Sequence, residues 1–541
     1  MTTTCSADTP ASDSHNLWLP LTNLFNNFNR KSPADAGVQG VVMQYMKTIS
    51  AAVLLAIIPT GYAMAATTSI EGVNITPAPQ SAVTAPATTP APLASADCST
   101  GFLSRFAAAY REDAQPADPN APAPARRAMP APLDSPPFPN SEWQLGGIDT
   151  PIGVPDGNAQ YPLEKALSCT ALGQWMQKNR IEVFGWVNPS ANLSSSNFTN
   201  FPLSYAARPN RVEFDQWVLN IERVPDTVQT DHMDWGFNIS NLYGYDYHFT
   251  TTKGVFSNQL LNNPAPGQPL NGKIYGDDPM LFYYDLYIPW VAQGMNIRIG
   301  RWLSLPDIEA QFSPENYLVT HSILYTVDPY TQMGVMTTTK LNDQWTVQVG
   351  VNGSNDTAVW NSSARPTLQA CVRWVSASNN DMLYPCINNL NGNNYNYNNV
   401  QMYVMTWGHR FSQTVHMLTE AYEMFGRGIP GYGPGGTPGV AGSSPLDGEA
   451  GEYGIVNYLN IELNSGNMMS IRNEFYDDEN GQRTGYATRY SSHTIGLTHW
   501  VSQDLEIRPE LRYEHSYDEP AYDAGKKDYQ ATALIDAILH Y

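Results

Sequence analysis

The stretch LEIRPELRYEHSY, residues 505–517, carries the reading on which the fold turns. Leu505, Ile507, Leu511 and Tyr513 fall on one side of an extended chain, while Glu506, Arg508, Glu510, Arg512 and Glu514 fall on the other. Alternation with period two over this whole stretch reads as a strand, and about 9–11 residues suffice to cross a bilayer. In a soluble sandwich the charged side would face outer water. In a membrane barrel it would face a wet lumen, with the apolar side toward lipid. Alternation alone therefore leaves both architectures open.

Loop lengths separate them. From residue 399 onward the connections alternate: FSQT at 411, then 425–453; NSGN at 464, then 477–488; SQD at 502, then 515–528. Short periplasmic turns alternating with long outside loops are the pattern of an outer-membrane barrel, and a sandwich has no reason to keep that parity. Carried upstream, the same rule predicts strands near 180–189, 212–224, 233–246, 280–289, 295–303, 331–341, 344–352, 367–376, 381–388, 399–410, 414–424, 454–464, 467–476, 489–501, 504–514 and 529–541. That is an even set of sixteen, provided 304–330 is one long loop, although SILYTV at 322–327 looks extended. In porins such a loop can fold into the barrel. The expected fold is an all-β, antiparallel up-and-down transmembrane barrel of about sixteen strands, preceded by a disordered Pro/Ala-rich extension.

The N-terminal part fits this destination. KTISAAVLLAIIPTGYAMAA, 47–66, has a basic residue, an apolar run from Ile49 to Ile58 and a small-x-small site at Ala63-Met64-Ala65. These are the parts of a secretory signal peptide, and the run is too short for a membrane helix. We expect translation from Met46, a signal peptide over 46–65, and residues 1–45 as a mis-called upstream start or disordered. A Pro/Ala/Thr-rich periplasmic linker should follow over 66–142, broken by one short amphipathic helix at 102–113. A periplasmic segment with a short helix occupies 143–179, and the barrel 180–541. N-terminal sequencing of protein from the membrane fraction is expected to begin at or near Ala66; a chain retaining residues 1–45 would refute the start-site reading.

Composition narrows the partners. The first 65 residues hold three basic and three acidic residues, so the mature charge is 26 − 47 = −21, which excludes a nucleic-acid partner. Cys98, Cys169, Cys371 and Cys386 suit an oxidising compartment without making a disulfide scaffold. A hairpin centred between Ser378 and Asn379 sets Cys371 opposite Cys386 on one face, at disulfide distance. In the last strand Tyr529, Ala531, Ala533, Ile535, Ala537, Leu539 and Tyr541 share a face. An apolar strand ending on an aromatic resembles the signal read by the barrel-assembly machinery.

No enzyme constellation emerges. DHMD at 231–234 lacks a serine partner and reads as a periplasmic turn; His493 and His499 read as interface residues; no P-loop, Cys-x-x-Cys or His-Glu-x-x-His occurs. We therefore expect no catalysis, cofactor or metal. The candidate functional surface is the lumen. Asp307, Glu309 and Glu315 of the long loop are expected to face Arg298 and Arg301, with the ladder Glu506, Arg508, Glu510, Arg512 and Glu514 across the pore. Such charges either set ion selectivity or pair and hold the loop. A wet lumen would tolerate their replacement by amides. Trp217, Trp235, Trp302, Trp345, Trp407 and Trp500 are expected in interface belts. The polar loops 389–399 and 426–453 are expected outside.

Four segments carry a family resemblance: FPNSEWQLGGIDTPIGVPD (138–156), NRVEFDQWVLNIERVPDTVQTDHMDWGF (210–237), IRIGRWLSLPDIEAQFSPENYLVTHSILYTVDPYTQMGV (297–335) and LNDQWTVQVGVNG (341–353). Over about 138–541 the chain resembles the second β-barrel porin family, the OmpL-like one. The resemblance implies an outer-membrane barrel in a Gram-negative-type bacterium and brings no substrate or catalytic residue. The expected function is passive diffusion of small hydrophilic solutes or ions, with mild cation preference, in contact with outer-membrane lipid. The rival is a secreted all-β adhesion or carbohydrate-binding protein.

Overall fold

The computed structural model describes residues 98–114, 161–259 and 273–541, apart from 228, 343, 379, 392–399, 413, 428–448, 465 and 503. The expected signal peptide over 46–65, the residues before it, most of the expected 66–142 linker and most of 389–399 and 426–453 lie beyond the described residues. Sixteen strands follow one another: β1 Glu182–Ser194, β2 Val212–Arg223, β3 Asp234–Gly244, β4 Gly276–Ile288, β5 Met295–Leu303, β6 Thr331–Lys340, β7 Trp345–Asn352, β8 Thr367–Val375, β9 Asp381–Leu390, β10 Gln401–Arg410, β11 Val415–Arg427, β12 Glu449–Asn464, β13 Asn467–Asp478, β14 Arg489–Trp500, β15 Leu505–Ser516 and β16 Tyr529–His540. Each pairs antiparallel with its sequence neighbours, and β16 pairs with β1 to close the barrel. Closure leaves no sheet edge, the condition for strands to cross a bilayer.

At the seam the chain end is held by both backbone and side chain. Gly185 and Tyr541 exchange backbone hydrogen bonds at 2.8 and 3.1 Å, the Tyr541 hydroxyl donates to the Val218 carbonyl at 2.9 Å, and the Trp217 indole N–H donates to that hydroxyl at 2.7 Å. Gly185 is needed there, since a Cβ would meet the Val218 carbonyl oxygen at 2.0 Å and the Tyr541 ring at 2.7 Å. A bulge at Asn188/Pro189 lets a proline sit inside β1 without orphaning a ladder partner.

Period two decides what each side chain meets. In β15 the Glu506-to-Glu514 set is buried inside, whereas Leu511 is 60% exposed on the outside, opposite Ile495 of β14 and Ala533 of β16. Ile239, Ile299, Val349 and Ile535 are likewise exposed apolar residues on their strands. Trp217, Trp235 and Trp345 are exposed, with Trp235 stacked on Tyr284 and Trp345 beside Trp374. Trp302 and Trp500 depart from the belt expectation, because their strand positions point inward and both are buried. β8 pairs β9 with Cys371 opposite Cys386, and the two are joined with Cα atoms 4.1 Å apart.

Among the described residues, three short helices stand before the barrel, α1 Phe102–Asp113, α2 Pro162–Leu167 and α3 Ala171–Lys178. The second disulfide, Cys98–Cys169, ties α1 to the α2–α3 turn, a pairing the sequence reading did not anticipate. At the end carrying the short turns, the Asp113 carboxylate accepts from the Asp504 amide at 2.9 Å and from the Ser502 hydroxyl. Burial raises the Tyr110 phenol to about 12, so it stays protonated and donates to the His540 carbonyl at 2.7 Å. Glu164 accepts from the Val183 amide at 3.0 Å, continuing the same attachment into β1.

Candidate pore and its inward loop

Residues 304–330, between β5 and β6, turn into the barrel, and every one of them is buried. SILYTV is not extended there: Ser322 caps a short helix, α4 Ile323–Val327, through its side chain to the Tyr325 amide. A serine able to satisfy a free helical N–H favours that local choice over a strand. The lumen expectation also changes. Leu305, Ile308, Tyr317, Leu318, Ile323, Leu324 and Val327 pack in one apolar cluster with inward residues of the wall, among them Met382, Met402, Val404, Leu418, Val456 and Met468. The loop supplies the apolar surface that lets inward positions be apolar, so the interior is packed rather than lined only by wet polar groups.

Polar wall residues pin the loop's backbone along its length. Thr406 donates to the Pro306 carbonyl at 2.7 Å, and Glu420 accepts from the Ile308 amide at 2.9 Å. Gln216 donates to the Gln311 carbonyl at 2.7 Å and accepts from the Ser313 amide at 3.1 Å. Arg508 donates to the carbonyls of Ser313 and Asn316, both at 2.6 Å. Glu510 accepts from the amides of Val319 and Thr320 at 2.7 and 3.0 Å, and Glu474 from that of Leu324 at 2.8 Å. A buried loop has backbone groups that need partners, and here strand side chains provide them.

The charged candidates are placed as follows. Arg298 binds Asp285 through two hydrogen bonds at 2.8 and 2.9 Å and lies over the Tyr283 ring at 3.6 Å. Arg301 binds Asp278 at 2.7 and 3.0 Å. Both arginines were expected to face loop carboxylates; the bidentate partners they take are Asp285 and Asp278 of the neighbouring β4. Glu309 instead meets Arg472 at 3.1 Å, with the Tyr458 hydroxyl and the Ser322 amide and hydroxyl completing its shell. Arg508 pairs with Asp536 across the β15–β16 ladder, Arg512 with Glu514 at 2.6 Å, and Glu506 faces His540 at 3.9 Å. Glu315 is buried, and Asp307 lies close to Asp328 and Glu420.

The ladder therefore holds the loop in place through mutual pairing. Removing one partner of such a buried pair costs about 3–5 kcal/mol, so amide replacement at Glu309 is expected to destabilise the barrel, against the tolerance expected of a wet lumen. Arg472, Glu474, Asp278, Asp285, Asp328, Glu420 and Asp536 were missed as site residues. Two of these could have been read by setting strands in register: Asp285 lies opposite Arg298, and Asp536 opposite Arg508.

Residues 180–541 match the family model "Putative beta-barrel porin-2, OmpL-like". The chain belongs to that family. No curated protein is similar to it at a significant level. Among solved structures it is similar to the anion-selective porin from Comamonas acidovorans, at 9% identity and a TM-score of 0.44, over 67% of this chain and 99% of that one. It is also similar to the Vibrio cholerae outer membrane protein OmpT lacking loop L8, at 8% identity, a TM-score of 0.42 and coverage of 67% and 99%. The outer membrane channel DcaP of Acinetobacter baumannii is similar at 10% identity and 0.40, over 67% of this chain and 97% of that one.

Proposed function

We propose that the protein is an outer-membrane channel through which small hydrophilic solutes or ions diffuse passively, constricted by residues 304–330 and mildly cation-preferring. The observation that carries this reading is the combination of a closed barrel, apolar outside, with a charged interior into which one long loop folds. Family membership supports the same reading. Interior charge supports the cation preference: among the described residues, buried carboxylates outnumber buried arginines, and charge facing a narrow passage raises the local concentration of the opposite sign. The C-terminal strand is the proposed handle for the assembly machinery, with Tyr541 as its last contact. No catalytic role is assigned to any residue.

In planar bilayers under a potassium chloride gradient, the reversal potential should carry the sign of cation preference. Replacing Asp307 and Glu315 together by their amides, with Glu309 left to pair with Arg472, should move it toward zero, with heat-modifiable gel mobility confirming that the variant is folded. A wild-type reversal potential of the anionic sign would overturn the proposed preference.

A further inference from the structure

Asp307 opens the inward loop, Asp328 lies near its far end, and Glu420 stands on the β11 wall. One oxygen from each carboxylate lies within 4.8 Å of the others, and all three side chains are buried. The oxygens of Asp307 and Asp328 make no well-formed hydrogen bond to the loop backbone or to a basic side chain. The nearest polar neighbours are the Ser304 hydroxyl beside Asp307 and the two carboxyls themselves. Glu420 gives one oxygen to the Ile308 amide. Arg483 acts on Asp328, but its Nε is taken by the Val327 carbonyl. Asp278, Asp285 and Asp536, by contrast, each meet a guanidinium group directly. Here one oxygen from each of three carboxylates comes together, with no guanidinium bonded to Asp307 or Asp328.

Orphaned, buried carboxylate oxygens are costly unless a cation or protons occupy the space between them. We infer that Asp307, Asp328 and Glu420 bind one hard divalent cation of the calcium or magnesium class. The donor set is all oxygen, which suits those ions and disfavours softer metals. The ligands come from the two ends of the loop and from the wall, so the bound ion closes the loop on itself and fastens it to β11. This inference stands apart from the transport reading and holds whether or not the pore conducts.

The test uses the full barrel refolded into detergent from chelator-stripped protein, with calcium or magnesium chloride present or absent. Metal content after desalting should be one ion per chain. Titration calorimetry should give a saturable site, weakened by more than about 100-fold in the double variant Asp307→Asn/Asp328→Asn and weakened also in Glu420→Gln. Calcium should raise the unfolding temperature of the wild type and leave that of the double variant unchanged, as expected when ligand binds only the folded state. Amides carry no charge to repel, so the variants should fold, which gel mobility checks. Absence of saturable binding at millimolar calcium and magnesium, or equal affinity in the double variant, would overturn the inference. A stability that follows pH but not metal would assign the site to a proton shared by Asp307 and Asp328 instead.

Discussion

Deleting residues 306–318 should raise single-channel conductance severalfold in a barrel that still folds. The deletion removes Ile308, Tyr317 and Leu318 from the interior cluster and the carbonyls to which Arg508 donates. Apolar wall positions then face water, and Arg472 loses Glu309. The strands, their short turns and the β1–β16 seam contain none of the deleted residues, so closure is retained. Heat-modifiable mobility reports closure, and conductance reports the space gained. A folded variant with unchanged conductance would mean that the conducting path does not run past this loop.

Leu511→Arg should destabilise the folded barrel in vesicles by about 2–4 kcal/mol, the cost of a lipid-facing cation near the midplane. Leu511 sits mid-strand, flanked on the outer surface by Ile495 and Ala533, with no acidic residue at either cross-strand position. On the surface of a secreted all-β protein the same substitution would stay within about 0.5 kcal/mol. Denaturant titration in lipid vesicles therefore decides between the channel and the adhesion reading, independently of any transport measurement.

The strands were legible because a membrane barrel writes its constraints locally. Alternation marks each crossing, and turn parity fixes the direction of travel, so all sixteen crossings could be placed from short-range pattern. The interior was less legible because its partners are long-range. Glu309 and Arg472 lie 163 positions apart, and Glu510 and Val319 lie 191 apart. Nothing near either residue in the chain announces the other. A weaker signal was present: β10 to β13 carry apolar residues on both faces, with Met402, Val404, Leu418, Val456 and Met468 pointing inward. Two-sided apolar strands indicate that something other than water covers the inner face. The apolar residues of 304–330 were the available cover.

The Cys98–Cys169 bond makes the region before the barrel a covalent ring spanning 71 positions of chain. A protease that cuts between Asp113 and Pro162 therefore opens the ring without releasing α1, which keeps its bonds to the Ser502–Asp504 turn and to His540. Such a nicked molecule remains a single covalent species until it is reduced, so the chain can acquire a new end while α1 stays attached to the barrel.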